Sequence, residues 1–205
     1  MPDRAVAPFA RGRTFYHGKT VDSSDLPGGA VVGQVHVFQD TDPSDETKLR
    51  SNGDVVAVAV RNVSGIALLP KRIVTFKSDA IGKEVDGYCE SVNERVAGVV
   101  DDHLPAAGCP DDDICWIIVK GPCLAITSFV NMAANMAVND PVHAKAAASS
   151  TAGAAAAGGR FDRIAEGALT GDAGFLKVNN VIGYAMTARV VANTNTDTLI
   201  NVQLR

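Results

Sequence analysis

The feature that most constrains this chain is a faint copy of itself. Laying Arg95-Val96-Ala97-Gly98-Val99-Val100 over Asn180-Val181-Ile182-Gly183-Tyr184-Ala185, an offset of 85, also lays Asp113-Ile114-Cys115-Trp116-Ile117-Ile118-Val119-Lys120 over Thr198-Leu199-Ile200-Asn201-Val202-Gln203-Leu204-Arg205 without a gap. Each copy reads as a strand, a polar excursion and a second strand. In the C-terminal copy Ile200, Val202 and Leu204 alternate with Asn201 and Gln203, which marks the buried face. Carried back, that alternation points Cys115, Ile117 and Val119 into a core and gives Cys115 a packing role. Two readings stand at this point: a structural repeat, or chance likeness between two Val-rich hairpins.

The apolar composition agrees with strands. There are 26 Val and 10 Ile against 10 Leu, with 19 Gly and 9 Pro among the 205 residues, a balance that favours short strands and turns over long helices. Residues 1–25 carry Pro2, Pro8 and three Arg ahead of Phe15-Tyr16 and show no period, so they read as an extended basic arm. From Ala30 to Phe38, Val31, Val35 and Val37 alternate with Gln34 and His36 as in a half-buried strand. Thr41 to Asn52 reads as a polar, charged loop, and Val55 to Val60 as a strand covered on both faces. Ile66–Leu69 and Ile73–Phe76 are two more short strands. Asn139-Asp140-Pro141 is a turn opening a strand at Val142. Phe129–Val138 reads as a short helix, and the Ala-rich Lys145–Gly159 as a small-residue loop or strand continuation as readily as a helix. The expected fold is mainly β: one or two small β-barrel or β-sandwich units of short antiparallel strands, an extended N-terminal arm and little helix. The body, 26–205, divides into two pseudo-repeated units of about 26–125 and 126–205.

Several function classes are disfavoured. A net charge of −4 with 19 Lys and Arg scattered along the chain does not supply the clustered basic surface that nucleic acid requires. The first twenty residues lack the apolar stretch of a signal peptide, and Leu124–Val138, interrupted by Thr127, Ser128, Asn131 and Asn135, is too short to cross a bilayer. The expectation is synthesis in a cytoplasm, with no nucleic-acid or membrane partner. Cys89, Cys109, Cys115 and Cys123 contain no C-x-x-C pair and read as small buried hydrophobes.

Catalytic patterns are sparse. The best candidate is Asp101-Asp102-His103 with Cys109 and Asp111-Asp112-Asp113, where carboxylates, imidazole and thiol gather in sequence. The spacing fits a solvated acidic loop better: adjacent Asp101 and Asp102 side chains diverge on an extended chain, and the Asp-x-Asp-x-Asp-Gly order of a calcium loop is missing. Phosphate-binding, nucleophile-elbow and zinc-protease signatures are also missing, and His17, His36, His103 and His143 have no partner in sequence reach. The expectation is no enzyme, no metal and no cofactor. Trp116 alternates onto the face opposite Cys115 and Ile117, where it reads as half-buried or as an intersubunit anchor.

The basic arm, the short Val-rich strands, Gly82-Lys83-Glu84-Val85-Asp86-Gly87-Tyr88 with Val96-Ala97-Gly98-Val99-Val100, and the terminal Val181-Ile182-Gly183-Tyr184-Ala185-Met186 with Leu199-Ile200-Asn201-Val202-Gln203-Leu204 together resemble the capsid decoration, or cement, proteins of tailed bacteriophages. The likeness covers residues 80–205. It implies a virion structural protein on the capsid exterior, commonly a homotrimer, bound to the major capsid protein where subunits meet. An arm without a core of its own is suited to being ordered by neighbours. Arg4, Arg11, Arg13, Phe15 and Tyr16 are then the expected arm contacts, with Arg4, Arg11 and Arg13 facing acidic capsid surface, and Trp116 the subunit anchor. Two alternatives use other parts of the chain: a receptor- or glycan-binding virion spike presenting the Asp101–Asp113 loop, and a small hydrolase using His103, Asp102 and Cys109.

Overall fold

The computed structural model describes residues 9–16, 31–89, 95–127, 135–145, 159–164, 181–189 and 197–204. They form a mainly β protein of eleven strands: β1 Phe15–Tyr16, β2 Val35–Asp42, β3 Asp45–Asn62, β4 Ile73–Phe76, β5 Glu84–Tyr88, β6 Val96–Val100, β7 Asp113–Ile126, β8 Pro141–Lys145, β9 Arg160–Arg163, β10 Val181–Ala185 and β11 Asp197–Gln203. Four of them, β2, β3, β7 and β11, pair antiparallel in that order as a spine.

On this spine stand two rings of identical connectivity. In the first, β3 pairs parallel with β5, then β5 with β4, β4 with β6, β6 with β7 and β7 again with β3. In the second, β7 takes the first-strand role: β11, β10, β8 and β9 follow by antiparallel pairing, and a parallel bridge from Phe161 to Thr127 closes the circuit. The backbone bonds match one for one. Lys71 N–H donates to Val100 O (3.0 Å) and Asn139 N–H to Ala185 O (2.8 Å); Val100 N–H donates to Arg72 O (2.8 Å) and Ala185 N–H to Asp140 O (2.9 Å). Cys89 N–H bonds Ile73 O (3.0 Å), as Ile164 N–H bonds Pro141 O (2.9 Å). The two-bond bridge between Leu68 and Cys109 has its counterpart between Met136 and Arg189. Even the left-handed residues correspond, Lys71 at φ 66 and Asn139 at φ 70, each two residues before its strand.

The echo in the sequence therefore lies on β6–β7 and β10–β11, with one adjustment. Val100 corresponds to Ala185 (185 − 100 = 85), but Asp101 N–H bonds Trp116 O where Met186 N–H bonds Leu199 O, so Trp116 corresponds to Leu199 (199 − 116 = 83). The polar excursion is two residues shorter in the second ring. A slip of two preserves the inward face, since strand side chains alternate with period 2. Cys115 and Ile117 are fully buried inside the first ring with Val60, Val74, Val85 and Leu68, and Val119 packs partly against them. Ile114, Trp116 and Ile118 face the other way, into the core that fills the second ring and runs under β2. Burial on both faces is why β7 reads as an almost unbroken apolar run.

Three expectations about the N-terminal half change. Thr41–Asn52 is a hairpin, because Asx turns at Asp42 and Asp45, each accepting from the residue two further on, reverse the chain while Glu46 and Lys48 stay in water and Arg50 turns inward. In β2 the buried half is the opposite one: Val35 and Val37 are 59% and 44% exposed while His36 and Phe38 turn toward Trp116. The alternation was visible, but the indole, distant in sequence, decides which face is inward. Ile66–Leu69 contributes only the isolated bridge at Leu68. Asn135–Val138 are not helical, and 128–134 and 146–158 lie outside the described residues.

Candidate functional site

The polar excursion after β6 builds the site. Leaving β6, the chain turns so that Asp101 and Asp102 point inward together, both buried, instead of diverging into solvent as an extended chain would have them. The reason is Arg11: its Nη2 donates to Asp101 Oδ1 (2.8 Å) and Asp102 Oδ1 (2.5 Å), and its Nε to Asp101 Oδ1 (3.0 Å). Gly12 N–H adds a bond to Asp101 Oδ2 (2.8 Å). Gly12 needs its freedom here, with φ 72 and a Cβ that would come within 2.8 Å of the His103 carbonyl. On the far side, Asp102 Oδ2 accepts from Arg50 Nη1 (2.7 Å) and Leu124 N–H (2.9 Å), and Arg50 Nη2 continues to Asp40 Oδ1 (2.5 Å).

The result is a buried chain of alternating charge, Asp101–Arg11–Asp102–Arg50–Asp40, that joins the arm, β2, β3 and β7. Burial alone would raise the Asp102 pKa. The guanidiniums of Arg11 and Arg50, with the Leu124 N–H, reverse that and hold the carboxyl below its ordinary range. Burial likewise opposes the charged Arg11, and the two carboxylates overcome it to raise its pKa. His103 sits at the edge of the network with Nε2 3.2 Å from Thr41 O, which makes Nε2–H the donor in the neutral ring. It stands 4.0 Å from both Asp102 and Glu46.

The arm is held by aromatic packing as well. Phe9 stacks on Trp116 at 4.6 Å between centroids, Phe38 and His36 meet the indole edge-on at 5.2 and 5.5 Å, and Trp116 Nε1–H donates to Phe9 O (3.2 Å). Phe15 stacks on Phe9 at 6.3 Å. β1 pairs with β7 at Phe15↔Ile114, along the stretch of β7 that β6, ending opposite Ile117, leaves open. The arm thus supplies the strand that β6 is too short to supply.

The expected contact residues are distributed as follows. Arg11, Phe15 and Trp116 converge, but within one chain: the acidic surface Arg11 meets is its own Asp101 and Asp102, and Trp116 is 0% exposed, anchoring the arm and offering no face to a second molecule. Arg13 is exposed. Tyr16 pairs with Asp113 through its backbone, and Arg4 lies outside the described residues. Sequence reading missed Asp40, Arg50 and Phe9. Arg50 meets Asp40 across a hairpin and Asp102 52 positions on, and no local pattern marks the second pairing, although Phe9, Phe15 and Trp116 are three of only eleven aromatic residues (7 Phe, 3 Tyr, 1 Trp).

The second acidic group, Asp111-Asp112-Asp113, is a clasp. Asp112 pairs with Arg61, Asp111 Oδ1 accepts from Gly65 N–H (2.8 Å), and buried Asn62 donates to the carbonyls of Ile66, Cys109 and Pro110. All four thiols are buried. The neighbouring Cys109 thiol and burial push Cys115 well up, and burial does the same to Cys123, so both stay protonated. Cys109 directs its sulfur at the Pro110 and Asp113 carbonyls (3.6 Å each) rather than toward His103. No family model matches the sequence, and no curated protein matches it at a significant level.

Proposed function

We propose that this chain is a non-enzymatic structural protein of the capsid decoration type, binding the exterior of a tailed-phage shell and bridging copies of the major capsid protein. The observation that carries the reading is how the buried charge is used. Each of Asp101, Asp102 and Asp40 accepts bonds from Arg11, Arg50 or both, so the network clamps an arm to a body; every carboxylate oxygen of Asp101 and Asp102 accepts a bond, and Asp40 Oδ2 is sealed from solvent. The resemblance of residues 80–205 supplies the shell as partner. The reading includes self-association, which the resemblance implies is trimeric, and a location on the virion; it invokes no cofactor, nucleic acid or membrane. Against a glycan-binding spike, Asp111 and Asp112 of the excursion bond to Gly65 and Arg61 within the chain.

The test is binding to empty tailed-phage capsids. Purified protein is mixed with shells and sedimented, bound copies per capsid are counted, and shell melting is followed by calorimetry. Saturation at a fixed number of copies per lattice site with a raised melting temperature is the expected result. Absence from the pellet across a panel of such shells would refute it.

A further inference from the structure

The spine β2-β3-β7-β11 is unequal at its two ends. β11 has β10 on its outer side, and the other end of the sheet path, β9, is tied back to β7 through Phe161 and Thr127. Among the described residues β2 pairs with β3 alone; His103 reaches the Thr41 carbonyl near its C-terminal end, and no described residue bonds the outer edge from Val35 to Gln39. Ala59 N–H donates to Gln34 O, so by antiparallel alternation the backbone N–H and C=O groups of Val35, Val37 and Gln39 point away from β3. Natural sheets blunt such an edge with Lys, Pro or a bulge. The stretch Gln34-Val35-His36-Val37-Phe38-Gln39 has neither residue type, and its pairing with β3 is regular from Val35 to Gln39.

Side chains add to the backbone argument. Val35 and Val37 are exposed, and directly across on β3 stand Val58 and Val56, each partly exposed, so four valines form one apolar face. We propose that this edge docks β2 of a second copy, antiparallel about Val37, so that two molecules share one continuous sheet. With the two-fold axis at Val37, Val37 faces its counterpart and Val35 faces Gln39 of the second copy (35 + 39 = 37 + 37). These are the residues whose backbone groups point outward, so each opposing pair exchanges both hydrogen bonds. His36 then stands opposite Phe38. The segment is uncharged, and the nearest carboxylate, Asp40, is buried against Arg50, so self-pairing juxtaposes no like charges. This contact does not depend on shell binding, and it is two-fold where the phage resemblance implies a trimer.

Mass in solution and cross-linking test it. Light scattering of the full chain, 21.3 kDa, is expected to give a dimer of 42.6 kDa (2 × 21.3), and Val37→Lys to halve it with unchanged circular dichroism. Val138→Lys, at an exposed valine outside β2, leaves the dimer intact. Val37→Cys alone is expected to form an intermolecular disulfide under mild oxidation, whereas Val35→Cys does so only when mixed with Gln39→Cys, which reads the register independently of whether Val37→Lys folds. A monomer up to millimolar concentration, an oligomer whose mass Val37→Lys leaves unchanged, or cross-linking of Val35→Cys to itself would each overturn the proposal.

Discussion

The two rings share a backbone and differ in chemistry at one corner. After β6 the first ring places Asp101-Asp102; after β10 the second places Met186-Thr187, with the same bond from the following strand position, Asp101 N–H to Trp116 O and Met186 N–H to Leu199 O. Among the described residues, the arm packs on the first corner. In the second, Thr187 Oγ1 is buried without a hydrogen-bond partner among the described residues. The hydrogen-bond scaffold is thus indifferent to what its corner carries, and one copy has been given a charged clamp and an indole platform where the other has a thioether, a hydroxyl and Leu199. In a repeated fold the shared bonds report how the unit folds, and the differences report where each copy has a separate task.

Breaking the clamp should have the largest effect. Asp102→Ala leaves Arg11 and Arg50 buried with one carboxylate partner fewer each and is expected to cost about 3–5 kcal/mol, against less than about 1 kcal/mol for Thr187→Ala at the matching corner. Chemical denaturation measures both, and trypsin should cut at Arg11 or Arg13 in the first variant alone. The same clamp is acid-sensitive. Because the Asp102 pKa is lowered in the folded state, its contribution is present above the unfolded carboxyl value and is lost as pH falls through the folded one. Stability should therefore decline below about pH 4, with a shallower decline in Asp102→Asn.

Trp116→Ala comes next, at about 3 kcal/mol, with about 1–2 kcal/mol for its half-buried counterpart Leu199→Ala, both read as melting shifts. Gly98 and Gly183 correspond at the offset of 85 and should respond alike. A Cβ on Gly98 meets Ile118 O at 2.8 Å, and one on Gly183 meets Asn201 O more closely still. Alanine at either is expected to cost about 1–3 kcal/mol, Gly183 the more. The smallest effect tests the paired left-handed positions. Lys71→Gly should gain up to about 1 kcal/mol, reduced by loss of the Asp197 pair, and Asn139→Gly less, since Asn tolerates that conformation. Unequal responses of Gly98 and Gly183 would show that the two rings differ in more than side chains.

What could be read in advance followed period and residue type. Val55–Val60, Ile73–Phe76 and the inward set Cys115, Ile117 and Val119 are local patterns, and the structure places them as strands and core. Arg11 reads as a contact residue from its place in a basic arm, but its partners, Asp101 and Asp102, belong to the same chain. Asp101 lies 90 positions away, and nothing within a window of either residue announces the pair. β2 shows the same limit from the other side: a clean alternation names two faces without naming the buried one.

The chain alone determined that strands would form and where most of them lie, because side-chain volume, β-branching and two-residue alternation act over a few neighbours; it raised the echo of residues 95–120 near the C-terminus without deciding between a repeat and chance. Tertiary structure decided the rest: that β7 serves two rings, that Asp101, Asp102 and Asp40 become buried partners of Arg11 and Arg50, and that Val35 and Val37 face water. These depend on which distant segments meet. Buried charge is stable only beside its opposite, and a strand face is inner or outer only relative to what packs against it.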